Sequence, residues 1–93
     1  MTKKDLVDQI SANTGIEKAV IMAVVEEFMT TTKKSLQGGD NVYLRGFGSF
    51  TLKRRAEKVG RNITKGTSLV IPEHSIPAFK PAKEFKLDVK ENN

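Results

Sequence analysis

Along the first forty residues, apolar side chains recur at the three-and-four spacing of a helix; beyond them the spacing changes. Leu6, Val7 and Ile10 make a short stripe. Thr2 stands where a hydroxyl can cap the orphan amides at its start, with Asp5 near the positive end of the dipole. Gly15 offers a left-handed stop. Val20, Ile21, Val24, Val25, Phe28, Met29 and Leu36 form a wider stripe, which predicts a longer helix from about Glu17 to Gln37. No Ser, Thr, Asp or Asn precedes this second helix directly, so its cap is weaker, and Gly38-Gly39 ends it. Two antiparallel helices joined at a glycine make a helical hairpin.

From Asn41 the period shortens. Val42, Leu44, Phe47, Phe50 and Leu52 predict strands with a turn through Gly46-Phe47-Gly48. The strand signal continues into Lys53-Arg54-Arg55-Ala56 but loses its apolar members. The turn-rich Gly60 to Gly66 stretch then leads to a returning strand over Ser68 to Ile71. Pro72 and Pro77 bracket a segment that reads as edge strand or irregular chain, because neither proline can donate to a ladder. A short helix over about Ala82 to Lys90 closes the chain, with Phe85 and Val89 on one face. The expected divisions of a single 1–93 domain are a helical base (1–40), a sheet with an arm (41–81) and a C-terminal helix (82–91).

Residues 53 to 68 hold only Ala56, Val59 and Ile63 as apolar side chains, among six cations. Such a segment cannot fold back on a core. It should project as a hairpin, and an isolated two-stranded ribbon is marginally stable and should be mobile until held. Without the arm, roughly 75 residues remain to build a core, which is marginal for a monomer. The remainder nevertheless has a broad apolar helix face and four phenylalanines after Phe28. A second copy would cover that surface, and an intertwined homodimer is expected.

Composition narrows the function. The chain has 16 Lys plus Arg against 11 Asp plus Glu, a formal charge of +5, and no Cys. Without cysteine there is no disulfide framework, thiolate metal site or thiol nucleophile. No apolar run reaches the roughly 20 residues of a membrane span, and the start lacks a secretory apolar core, so a soluble, cytosolic protein is expected. His74 is the sole histidine and reads as an exposed loop residue. No catalytic constellation, metal site or cofactor is expected, nor a small-molecule substrate. Residues 1–40 are net −1 and residues 41–93 net +6, with Lys53 to Lys65 alone at net +5. Clustering of this kind is either a solvated face or the footprint of a polyanion site.

Gly46-Phe47-Gly48-Ser49-Phe50, Gly60-Arg61-Asn62, Gly66, Ile71-Pro72 and Ile76-Pro77-Ala78-Phe79-Lys80-Pro81 resemble the HU/IHF family of bacterial histone-like DNA-bending proteins. The resemblance runs from Met1 to about Lys90. It implies an α+β fold built as an intertwined dimer. Two N-terminal helices per subunit form a helical base beneath a three-stranded antiparallel saddle; each subunit adds a long protruding β-ribbon arm and a short C-terminal helix. It also implies a nucleoid-associated role in which a homodimer bends and compacts double-stranded DNA largely without sequence preference, favouring bent, nicked or junction forms. A site-preferring bender of the IHF kind, acting with a second subunit, is the alternative. A basic module for acidic partners or anionic surfaces is a third reading, disfavoured by the ribbon's length and the wedge at its tip.

The expected DNA contacts divide by task. Lys53, Arg54, Arg55, Lys58 and Lys65 on the arm and saddle can meet phosphates, as can Lys3, Lys80, Lys83 and Lys86 on the body. Lys3, Lys83 and Lys86 read equally well as solubilising surface. Arg61 matches the family's groove-inserting arginine, and Asn62 beside it reads as a turn residue or a second groove contact. Most relatives carry proline after Arg-Asn, whereas this chain has Ile63. Isoleucine can still wedge between base steps, but on a tip that proline no longer stiffens. Gly46 and Gly48 let the chain turn sharply, and their amides, with Ser49, can donate to phosphate. Phe28, Phe47, Phe50 and Phe79 are the expected dimer core.

Overall fold

The computed structural model describes the backbone of residues 1–62 and 67–91 and the side chains of 1–57 and 72–91. Helix α1 spans Lys3–Thr14 and opens with a reciprocal capping box. The Asp5 amide donates to Thr2 Oγ1 at 3.2 Å, and the Thr2 amide donates to Asp5 Oδ2 at 2.9 Å. The Thr2 amide foremost, and the Thr2 hydroxyl after it, hold the Asp5 carboxyl below its ordinary value. Gly15, at φ 75°, ends the helix by donating to the Ser11 carbonyl at 2.8 Å. Helix α2 spans Lys18–Gln37, and its N-cap, Glu17, makes no side-chain cap bond, as the missing Ser, Thr, Asp or Asn predicts. Lys3 Nζ bonds Glu26 Oε1 at 3.0 Å and Lys18 Nζ lies 3.3 Å from Asp8 Oδ1, so an exposed ion pair ties the start of each helix to the middle of the other.

Strand β1 (Val42–Leu44) turns into β2 (Gly48–Arg55) through Arg45, Gly46 and Phe47. The Phe47 amide closes the turn on the Leu44 carbonyl at 3.0 Å, with Gly46 at φ 81°. That is the third position of a type II turn, whose left-handed backbone favours glycine. Gly48 is required for a different reason: a Cβ there would stand 2.6 Å from the Lys80 carbonyl oxygen and from the Phe79 ring. The ribbon consists of β3 (Lys58–Asn62) and β4 (Thr67–Ile71), and the chain returns along β5 (His74–Pro81) to α3 (Lys83–Glu91). The three-stranded sheet has the order β1-β2-β5, antiparallel throughout, and β3-β4 form a separate two-stranded sheet.

The two sheets are one ribbon interrupted. Arg55 stands opposite His74 and Lys58 opposite Ile71, three steps along each strand, so the register is the same on both sides of the gap at 56–57 and 72–73. Proline parity explains both the strand and the gap. Pro77, opposite Leu52, sits inside β5 without breaking it. The Leu52 amide points the other way, to the Asn41 side-chain oxygen at 3.2 Å, so this pair is a non-hydrogen-bonded one. At the strand's end the Ala82 amide donates to the Phe47 carbonyl at 2.8 Å, which places the donors of β5 at even numbers. Pro77 and Pro81 are odd and lose nothing. Pro72 is even, falls opposite Glu57 and has no N–H to give, and there the ladder stops. The segment after Pro72, expected as edge strand or irregular chain, is thus an eight-residue edge strand, and His74 begins it rather than lying in a loop.

Only Val7, Ile21 and Leu36 are buried hydrophobic residues among those described. All five phenylalanines join in one chain of ring contacts, Phe28 to Phe50 (6.4 Å), Phe50 to Phe79 (5.1 Å), Phe79 to Phe47 (5.1 Å) and Phe47 stacked on Phe85 (5.2 Å). Yet Phe28, Phe47 and Phe79 remain 44%, 46% and 38% exposed, beside exposed Val20, Val24 and Met29. The chain presents 7874 Å² of surface, where a compact monomer of 10.3 kDa presents about 5,400 Å². Its radius of gyration of 18.7 Å likewise exceeds the roughly 12 Å of a compact domain of this length. One subunit leaves its apolar face open.

Candidate nucleic-acid interface

Strand alternation sorts the cations that the sequence lists as a run. Phe50 and Leu52 share the helix side of the sheet with Phe79 and Pro77. Leu52, Ser75 and Pro77 line one cavity with Lys33, Leu36 and Gln37 from the end of α2. The other face of the sheet carries Ser49, Thr51, Lys53 and Arg55 from β2, opposite Lys80, Ala78, Ile76 and His74 from β5, with Tyr43 next to Ser49 on β1. Lys53, Arg55, Lys80 and Tyr43 are exposed there. Three of the expected phosphate-binding cations therefore share one open surface.

Arg54 does not join them. It alternates to the helix side, opposite Ser75, where its Nε donates to Glu73 Oε1 at 2.5 Å. The bond raises the arginine's pKa and lowers that of Glu73. Lys3 is also engaged, by Glu26, at the start of α1. Lys83 and Lys86 come instead to the far end of the sheet. With Lys80 and Arg45 they line an open cleft of about 770 Å³ around Gly46, Gly48 and Ser49. Arg45 was not among the expected contacts; its position in the turn directly before Gly46 is the signal that could have marked it. Lys58, Arg61 and Asn62 lie on β3, paired with Ile71, Ser68 and Thr67. Ile63 and Lys65 fall outside the described residues. Among the described residues no cluster of His, Asp or Glu could hold a metal, and no helix is long and apolar enough to cross a membrane.

The sequence profile of a family described as bacterial DNA-binding protein matches residues 1–90. The chain belongs to the HU/IHF family of bacterial DNA-binding proteins. It is 34% identical to DNA-binding protein HU of Thermotoga maritima over 90 residues, 97% of this chain and all of that one. Its identity to integration host factor subunit beta of Aeromonas hydrophila is 39% over 87 residues, covering 92% of this chain and 93% of the relative. In three dimensions it matches the HU of an Anabaena HU–DNA cocrystal structure with a TM-score of 0.89 at 34% identity, over 96% of this chain and 97% of the other. The α+β fold, with its helices and three-stranded antiparallel sheet, is that of HU.

Proposed function

We propose that two copies of this chain form an architectural protein that binds double-stranded DNA across the outer face of the saddle and bends it. The observation that carries this reading is the segregation of Lys53, Arg55 and Lys80 onto the sheet face away from the helices, leading directly into the ribbon. The likeness to an HU that was crystallised with DNA supports it. On this reading the outer-face cations and the cleft of Arg45, Lys83 and Lys86 neutralise phosphates, which gives affinity without sequence preference. Lys58, Arg61, Asn62 and Lys65 on the arm extend the grip, Arg61 enters the minor groove, and Ile63 takes the wedge position. The second copy covers Phe28, Phe47, Phe79 and the open face of α2. Bound in this way to chromosomal DNA, the protein is a component of the nucleoid.

Gel-shift titration of linear, nicked and four-way-junction DNA tests the reading. Pre-bent forms spare part of a bending cost of about 1–6 kcal/mol, so they should bind more tightly. Equal affinity for all three would reduce the protein to a charge binder. A site-preferring role is the second reading, favoured by the 39% identity to an integration host factor subunit. Competition between random and selected duplexes separates the two.

A further inference from the structure

Arg54 stands on the helix side of β2, away from the outer-face cations, and bonds Glu73 across strands. Glu73 lies in the gap where Pro72 stops the ladder, one diagonal step from Arg54's own partner, Ser75. The unchanged register means that the gap lacks hydrogen bonds without displacing the strands, so it is a joint between saddle and ribbon. Among the described residues, Arg54–Glu73 is the side-chain bond that crosses from β2 into that joint.

We infer that Arg54 and Glu73 form a brace that fixes the angle at which the arm leaves the saddle, with Arg54 a positioning residue rather than a phosphate contact. The geometry suits this role. Same-face diagonal neighbours on antiparallel strands are within reach of long side chains, and an arginine fork keeps its charge and direction where a lysine would swivel. A brace on the helix side also leaves the outer face clear. Both side chains are solvated, so the brace weakens with ionic strength, and arm orientation becomes salt-sensitive in the free protein.

The proposal rests on the DNA-bending reading for its effect on function, but not for its first measurement. In the free protein, Arg54→Gln and Glu73→Gln should each speed amide exchange at Arg55 and His74, the last pair before the joint, by about two- to fivefold. The double variant should be no faster than either, and the swap Arg54→Glu with Glu73→Arg should restore protection. On DNA, both single variants should change the bend, read by energy transfer between the ends of a labelled duplex, in the same direction. The slope of log affinity against log salt should stay that of the wild type. The opposite result is equally defined. If Arg54→Gln, present in both subunits, lowers the slope by about 1.8 (about 0.9 per lost contact) while Glu73→Gln tightens binding, Arg54 is a phosphate contact and the brace is wrong. Unchanged exchange in all variants also overturns it. A wild type that fails to bind DNA would sink the functional reading instead, while the exchange measurement still decides the brace.

Discussion

Gly48 is the most tightly confined of the described glycines, since a methyl group there meets the backbone carbonyl oxygen of Lys80 and the ring of Phe79, itself in contact with three other phenylalanines. Gly48→Ala should cost about 1–3 kcal/mol of stability, the range for overpacking, read by denaturant titration. The motif Gly46-Phe47-Gly48 marks a turn in the sequence, but nothing in the one-dimensional pattern says that the first glycine serves dihedral freedom and the second close approach. The Thr2 cap of α1 was legible, whereas Asp5, expected there for its charge near the positive end of the dipole, also closes a capping box on the Thr2 amide. Thr2→Ala should cost about 1 kcal/mol. The same change keeps the backbone amide at position 2, the larger cause of the lowered Asp5 pKa, and removes the hydroxyl, so the Asp5 pKa should rise only part of the way toward its ordinary value, followed by carboxyl chemical shift. In the wild type that pKa is depressed, so the contribution of Asp5 is complete above pH 3.8 and is lost as pH falls through the lowered value.

At the level of elements, prolines decide where the long hairpin is continuous. Pro72→Ala supplies the missing donor at an even position opposite Glu57, so the gap should close and the new amide should resist hydrogen exchange. A freely exchanging amide at residue 72 would refute the parity account. Helices, strands and the projecting ribbon were readable from periodicity, because each buries a face or conspicuously fails to. Which cations share a face was only half legible. Alternation along β2 already parts Arg54 from Lys53 and Arg55, but that Lys80 joins those two is set by the register of β2 against β5, a pairing property that no one strand contains. The same limit hid Arg45, which joins Lys80, Lys83 and Lys86 only because the end of β5 and the start of α3 return beside the first turn.

At the scale of the molecule, surplus surface is the governing fact. In the proposed dimer, Phe47 links the ring of Phe79 to that of Phe85 and completes its burial against the second copy. Phe47→Ala should weaken association by about 1.5–3 kcal/mol or more, visible in sedimentation equilibrium before any loss of intrinsic DNA contacts. A dimer unaltered by that change would contradict the arrangement. The open aromatic chain has a consequence for how much protein there must be. When the core is finished only by association, folding is bimolecular, and the melting temperature rises with concentration instead of being a constant of the chain. Tenfold dilution removes about 1.4 kcal/mol from the assembled state. For the proposed dimer, abundance would thus be a determinant of fold, and a subunit made without a mate would be left as a substrate for proteolysis.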